Sequence, residues 1–208
     1  MVYIDRIVAT IIAAMVLLMG LSTQQRARKT SLSSSMLYVG KKKTLELADM
    51  IERDLTNLGY QTTPGQNAIS DYTLRDNDML DSLTFWGLRR DGVGTAAQQV
   101  EIRYRLAEAD TVQIGGEPVA LYELRRLVKL GGSWQVRGSS GPTLTGLYLD
   151  LLNENNNAAS PDSAIRIQVL LENAVVPQFD PDRAVSGLRR LHWSTTLSPP
   201  SIRGYQGQ

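Results

Sequence analysis

The sequence predicts an α+β fold in which one long N-terminal helix packs on an antiparallel β-sheet. Three features support this prediction: an apolar run near the N-terminus, apolar residues at three- and four-residue steps beyond it, and alternating apolar and polar residues in the C-terminal part. A helix followed by a run of strands is the order of an α+β domain. We therefore divide the 208 residues into a hydrophobic helix at 1–25, an amphipathic helix at 26–59 and a β-rich head at 60–208.

The apolar run contains two charged residues, Asp5 and Arg6, and residues 7–25 contain none. At about 1.5 Å per residue, a helix over residues 7–21 would span about 22 Å, which is less than the hydrocarbon core of about 30 Å. Including residues 1–4 closes that gap but places Asp5 in or beside the apolar layer. An unpaired carboxylate is costly there. The sequence therefore predicts a partner for Asp5.

Three interpretations of the apolar run remain open. A secretory signal peptide would have Lys or Arg before the run and a small-residue cleavage site after it, and neither is clear. A single-pass anchor is the simplest alternative. In the third interpretation, the helix first spans a membrane and later packs in a bundle of identical helices, where Asp5 meets the α-amino group of a neighbouring chain. Arg26, Arg28 and Lys29 follow the run and would favour a cytoplasmic C-terminal side.

An amphipathic helix is predicted before the head. Its apolar stripe, which should lie against the sheet, consists of Leu47, Ala48, Ile51, Leu55 and Leu58. Residues 30–35 are rich in hydroxyl side chains and would form a soft joint within one long helix. A glycine at position 59 is a plausible end of the helix.

A period of two indicates strands in the C-terminal part, after a predicted loop region at 60–80 that is rich in Gly, Pro, Asn, Asp and Thr. The predicted strands cover residues 83–88, 100–106, 122–130, 133–136, 147–151, 165–171 and 191–197. Gly131 and Gly132 predict a tight hairpin. The segments at 147–151 and 165–171 would form a second hairpin-like pair.

Composition and motifs argue against catalysis and metal binding. The formal net charge of +1 does not suggest a broad nucleic-acid surface, and the absence of cysteine excludes disulfides and thiolate metal sites. The only histidine, His192, falls in a predicted strand. Asp76, Asp78 and Asp81 lack an EF-hand pattern and are better explained by turns and caps. We therefore predict a protein that is not an enzyme, with no catalytic residues, cofactor or metal.

Residues 1–21 resemble the mature N-terminus of the type IV pilin and pseudopilin family, in which a leader peptide is removed and an acidic residue stands at the fifth mature position. Asp5 takes the place of the usual Glu, and Gly20, Leu21 and Ser22 stand where the family usually has a helix-breaking proline. The strand series from VEIRYRL to HWSTTLSPPSIRG is similar in order and spacing to the heads of the larger minor pilins and pseudopilins, including the group of pseudopilin J. Many pilins also carry a disulfide, which this chain lacks.

The resemblance implies a structural subunit of a type IV pilus-like filament with a processed, N-methylated terminus at Met1. It implies a single-pass location in the inner membrane before assembly and an extracellular filament afterwards, with copies of the chain and other pilins or pseudopilins as partners. Met1 and Asp5 would set the register between subunits, and Gly20 and Ser22 would mark a helix break. The residues expected to pack in the filament core are Tyr3, Ile4, Ile7, Ile11, Ile12, Val16 and Leu17.

Two alternatives to a pilus subunit remain. The first is a minor pseudopilin of a type II secretion-like pseudopilus, which would be scarce in purified filaments. The second is a membrane-anchored binding module that has a β-rich head and never polymerises. The second alternative predicts an unprocessed N-terminus.

Overall fold

A computed structural model describes residues 2–62, 66–89, 96–114, 117–175 and 189–200. It confirms the α+β fold, with one long N-terminal helix and an eight-stranded antiparallel sheet. The chain divides into two compact units, Met1–Val39 and Gly40–Gln208. The first is helical where it is described, and the second contains the rest of that helix and the sheet.

Helix α1 extends over Val2–Thr56. The strands are β1 (Ile69–Leu74), β2 (Leu80–Arg89), β3 (Gln98–Ile114), β4 (Glu117–Leu130), β5 (Ser133–Ser139), β6 (Leu144–Leu152), β7 (Arg166–Val175) and β8 (Arg189–Leu197). Every pair of neighbouring strands is antiparallel, and the sheet order is β1-β2-β3-β4-β6-β7-β8, with β5 also paired to β4.

The predicted apolar stripe of the amphipathic segment is buried against the sheet, which confirms its assignment. Ile51, Leu55 and Leu58 are all 0% to 1% exposed and belong to the same core cluster as residues of β2, β3 and β7. Burying such a side chain contributes roughly 1.5–3 kcal/mol. The helix ends at Thr56, and Gly59 then takes a left-handed conformation with φ of 80°. The amide of Gly59 donates to the carbonyl of Trp86 at 2.7 Å, so β2 fixes the chain where it leaves the helix.

Strand β4 has two neighbours on one edge. The predicted hairpin at Gly131 and Gly132 is confirmed, because both have positive φ, 56° and 86°, and they join β4 to β5. Further towards the start of β4, Tyr122 pairs with Leu144 of β6. Strand β5 therefore covers the end of β4 and β6 covers an earlier part.

The two faces of the β2–β5 part of the sheet differ in polarity. Phe85, Ile102 and Val128 are cross-strand neighbours on the face that packs on the helix, and all are buried. On the opposite face, Arg103 lies over the ring of Trp134 at 4.2 Å, with polar side chains around it. This is the usual arrangement of an antiparallel sheet with one face in water.

The prediction of a loop throughout residues 60–80 was wrong in one part, because β1 lies within that range. The turn between β1 and β2 is closed by the amide of Arg75, which donates to the carbonyl of Met79 at 2.8 Å. Only Ile69 is buried in β1, and polar residues occupy most of the strand. Its apolar alternation is therefore too weak to identify from the sequence.

Helix α1 is continuous through Gly20 and Ser22, where the resemblance implied a break. The hydroxyls of Ser22 and Thr23 donate to the carbonyl of Met19 at 2.9 and 2.8 Å, so both hydroxyl donors have a hydrogen-bond acceptor within the helix. One glycine in a helix costs about 1 kcal/mol, which does not end a helix of 55 residues. The hydroxyl-rich residues 30–35 are helical as well. A break that forms only in a filament stays a prediction.

Candidate functional site

The N-terminal unit exposes apolar side chains around the helix. Between Tyr3 and Leu21 the large apolar side chains are 48% to 84% exposed. A helix on the surface of a water-soluble domain normally has one apolar stripe and a polar opposite face. Side chains that are apolar in every direction require lipid or other protein on every side.

Among the described residues, one helix is long and apolar enough to cross a membrane, by length and composition. None of the apolar stretch of this helix is buried within the chain. The chain therefore has an N-terminal apolar helix that could anchor it in a membrane.

The residues predicted to pack in a filament core do not form a single stripe. With 3.6 residues per turn, Tyr3, Ile4, Ile7 and Ile11 fall on one face of the helix. Ile12, Val16 and Leu17 fall on other faces, and all seven are exposed by 51% to 84%. A helix with neighbours on several sides would cover all seven, whereas one partner helix would cover only the first four.

A shallow groove of about 320 Å³ lies on the first of these faces. It is lined by Tyr3, Arg6, Ile7, Thr10 and Ile11, so it brings together three of the predicted packing residues. The hydroxyl of Thr10 donates to the carbonyl of Arg6 at 2.8 Å and therefore adds no unpaired donor to the groove.

The two residues predicted to set the register lie outside what the structure describes. Met1 is outside the described residues, and of Asp5 only the helical backbone is described. Their pairing across subunits stays a prediction.

The head contains a buried charged cluster that holds the helix to the sheet. Asp54 of α1 is 4% exposed, and its Oδ2 accepts a hydrogen bond of 2.8 Å from the hydroxyl of Tyr104 in β3. Arg126 of β4 donates through Nε to the same oxygen and through Nη2 to Oδ1 at 3.2 Å. The arginine fork thus binds both carboxylate oxygens, which is the strong form of this ion pair.

Burial and the ion pair both affect the protonation of this cluster. Burial raises the pKa of Tyr104 well above its usual value of 10.0, and the charge of Asp54 raises it further. Burial disfavours the charged form of Arg126, but the hydrogen bond and charge of Asp54 outweigh that effect and raise the pKa of Arg126. Tyr104 is therefore a neutral hydrogen-bond donor and Arg126 a permanent cation at neutral pH.

Beside this cluster lies a cleft of about 620 Å³, which we call the arginine cleft. It is lined by Arg53, Asp54, Asn57, Leu88, Arg89, Arg126, Val128 and Arg137. The lining residues come from the end of α1, from the turn that follows it, and from β2, β4 and β5. The side chain of Arg53 is 70% exposed, and the side chain of Arg126 is 14% exposed. The cleft therefore runs from an exposed cationic rim to a buried ion pair.

The other candidates considered in the sequence have structural roles. Asp78 takes a positive φ of 60° in the turn before β2, and Asp81 accepts a hydrogen bond from Nε of Arg75 at 3.1 Å. His192 is on β8, with Nδ1 3.4 Å from Oε1 of Glu172. Within the described part of the chain, we find no group of three or more His, Asp or Glu residues that could hold a metal ion.

The arginine cleft was not predicted from the sequence, although one signal for it was present. Arg126 stands between Leu124 and Val128 in strand β4, at a position where the alternation calls for an apolar residue facing the helix. A charged residue at an inward position requires a buried partner. The sequence alone does not identify Asp54 as that partner, because 72 residues separate the two.

Comparisons of the chain with protein-family models, curated proteins and solved structures give no significant match.

Proposed function

We propose that this protein is a structural subunit of a type IV pilus-like filament. The N-terminal helix holds the monomer in the membrane, and assembly moves the same helix from lipid into the core of a helix bundle. The head remains in water and forms the outer part of the filament. The observation that carries this proposal is the exposure of apolar side chains on every face of the helix between Tyr3 and Leu21.

The physical driving force is the same in lipid and in a bundle. Each large apolar side chain removed from water contributes roughly 1.5–3 kcal/mol. Lipid and neighbouring protein both keep these side chains out of water. Moving the helix from the membrane into a bundle therefore preserves this contribution. Specificity then has to come from packing and polar groups.

Asp5 is the polar group that supplies this specificity in the proposal. A carboxylate in an apolar bundle is stabilised only where a cation meets it, so register shifts that leave it unpaired are penalised. The α-amino group of a neighbouring subunit is the cation that the resemblance to pilins provides.

The direct test is the Asp5→Ala variant. We expect its head to fold normally and its monomer to remain in the membrane, while the yield of sedimentable filaments seen by electron microscopy falls at least tenfold. Asp5→Glu is the matched control, because it restores the charge with one more methylene, and it should assemble. Normal filaments from Asp5→Ala would exclude the role of Asp5 in register.

A second test is the mass of the intact chain isolated from its membrane. Cleavage of a longer precursor immediately before Met1, with a free or N-methylated amino group, is expected for a pilin. An initiator formyl group on Met1 would contradict processing and favour a non-polymerising protein.

The second candidate is a membrane-anchored binding module that remains a monomer. The observation that favours it is the basic flank of Arg26, Arg28 and Lys29, which would keep the head of an unaided single-pass protein in the cytoplasm. Protease added outside intact cells distinguishes the two, because it should digest the head of a filament subunit and spare a cytoplasmic head.

A further inference from the structure

Among the described residues that line the arginine cleft, positive side chains outnumber negative ones. Of these eight residues, four are arginines and one is an aspartate. Such a balance attracts anions, because the lining charges act together on a ligand inside a partly enclosed space. The volume of about 620 Å³ is in the range of small-molecule sites in proteins.

Asp54, the carboxylate among these eight described residues, is already bound by side chains of the sheet. Both oxygens of Asp54 accept hydrogen bonds from Arg126, and Oδ2 also accepts one from Tyr104. Arg53 is farther away, with its Nε 3.9 Å from Oδ1 of Asp54. The charge of Asp54 therefore stabilises the buried guanidinium of Arg126 first and offsets the charge of Arg53 only weakly.

Arg137 supplies a guanidinium at the outer part of the cleft. Its Nη2 donates to the neutral side-chain oxygen of Gln135 at 2.8 Å, and Arg137 is exposed. A hydrogen bond to a neutral amide leaves the positive charge of Arg137 in place. The buried Val128 adds apolar surface beside these cations.

We propose that the arginine cleft binds a small molecule that carries an oxyanion, either a phosphate or a carboxylate. Arg53 and Arg137 bind the oxyanion, because the planar guanidinium matches two oxygens of either group. Val128, which faces the helix from β4, contacts a less polar part of the same ligand. Arg126 and Asp54 form the floor that positions the end of α1 against β4. This site does not depend on filament assembly.

The experiment is isothermal titration calorimetry of the full chain in a non-ionic detergent, with inorganic phosphate and citrate as the two probes at constant ionic strength. We expect saturable binding of at least one probe, and the tighter probe identifies the chemistry of the anion. Arg137→Gln and Arg53→Gln should each weaken binding about tenfold, because each removes a charge-assisted pair of hydrogen bonds.

Arg105→Gln is the matched control. It removes the same charge from the same sheet, but Arg105 follows the inward-facing Tyr104 in β3 and so lies on the opposite face. It should leave the affinity unchanged. If thermal unfolding shows that Arg137→Gln damages the head, Arg137→Lys replaces it and should still weaken binding several-fold, since lysine keeps the charge but lacks the fork. Absence of saturable binding, or an equal loss with Arg105→Gln, would overturn the proposal.

Discussion

At the scale of single residues, Asp54 carries the strongest polar contact between the helix and the sheet. It is 4% exposed and is bound by side chains from two different strands. Replacing one member of a buried ion pair leaves the other as an uncompensated charge, which costs more than the pair itself contributes. Substitution of Asp54 should therefore destabilise the head strongly, even though the intact ion pair contributes only modestly to the free energy of unfolding.

We expect Asp54→Asn to lower the free energy of unfolding of the head by about 3 kcal/mol, because Arg126 loses its counter-charge in a buried position. Urea unfolding followed by tryptophan fluorescence measures this change. Asp49→Asn is the control: Asp49 is on the exposed side of the same helix, and its change should stay within about 0.5 kcal/mol. Equal effects of the two substitutions would contradict a special role of Asp54.

The half-buried Tyr72 gives the head a stability that depends on alkaline pH. Burial, with smaller contributions from the charges of Asp150 and Asp78, raises the pKa of Tyr72 to about 12. The hydroxyl of Tyr72 donates to the carbonyl of Leu149, which fixes the end of β1 against β6. A pKa that is higher in the folded chain than the unfolded value of about 10 favours folding while the tyrosine is neutral.

The contribution of Tyr72 is therefore complete below pH of about 10 and is lost as the pH rises towards about 12. We expect the free energy of unfolding to fall across this interval and Tyr72→Phe to make the fall shallower. Denaturant unfolding at a series of pH values measures the slope. Asp49→Asn retains Tyr72 and should keep the parent slope, and an unchanged slope in Tyr72→Phe would refute the assignment.

At the scale of elements, two polar contacts fix where α1 crosses the sheet. Besides the cluster at Asp54, the side-chain amide of Asn173 in β7 donates to the hydroxyl of Thr44 at 2.6 Å. Thr44 and Asn173 are both buried. The two contacts are ten positions apart on the helix, about 15 Å along its axis. A shift of the helix along the sheet would leave both sets of buried polar groups unpaired, so together they select one register.

Gly40 permits the close approach of the helix to the end of β7. A Cβ at this position would lie 2.7 Å from Cγ2 of Val175. Gly40→Ala gains about 1 kcal/mol in helix propensity, but the overlap costs roughly 1–3 kcal/mol. We expect a net loss of about 1 kcal/mol in the free energy of unfolding.

A double-mutant cycle isolates that overlap. The Val175→Ala substitution removes Cγ2, the atom that a Cβ at position 40 would overlap. In this background Gly40→Ala should therefore be neutral or stabilising. Urea unfolding of the four chains gives the coupling energy between the two positions. The same effect of Gly40→Ala in both backgrounds would show that close packing against Val175 is not the reason for glycine.

The periodicity of the sequence was sufficient to predict the amphipathic part of the helix and the strands with strong alternation. Residues 100–106 alternate between apolar and polar, and β3 includes all of them. Strand β1 was missed because it has six mostly polar residues, of which Ile69 alone is buried, so its sequence shows no clear apolar alternation. The pairing of Asp54 with Arg126 could not be predicted, since it depends on which strand the helix crosses.

At the scale of the whole molecule, the two units differ in how far their large apolar side chains are buried. The unit Gly40–Gln208 buries most of its described large apolar residues between helix and sheet, in a cluster that includes Phe85, Tyr104 and Leu124. The unit Met1–Val39 leaves most of its described large apolar residues exposed as a single chain. The unit Gly40–Gln208 therefore has an apolar core of its own, whereas the unit Met1–Val39 needs lipid or neighbouring protein to cover its apolar side chains.

This difference predicts that charges in the apolar run will release the chain from membranes without unfolding its head. Met15 and Leu18 lie in the run and are 58% and 66% exposed, so Met15→Asp with Leu18→Asp disturbs no packing within the chain. Two aspartates near the centre of a spanning helix cost about 5–7 kcal/mol of insertion free energy. We expect most of this variant to leave the membrane fraction on extraction with alkaline carbonate, while the thermal midpoint of the head stays unchanged.

The matched control is Ser33→Asp with Ser34→Asp, which adds the same charges to the same helix beyond the apolar run. This control should remain in the carbonate-resistant membrane fraction, because its apolar run is intact. Retention of the Met15→Asp and Leu18→Asp variant to the same extent would mean that another part of the chain holds it in the membrane. Release of both variants would mean that charge anywhere on the helix is sufficient, so that the location of the apolar run is not what anchors the protein.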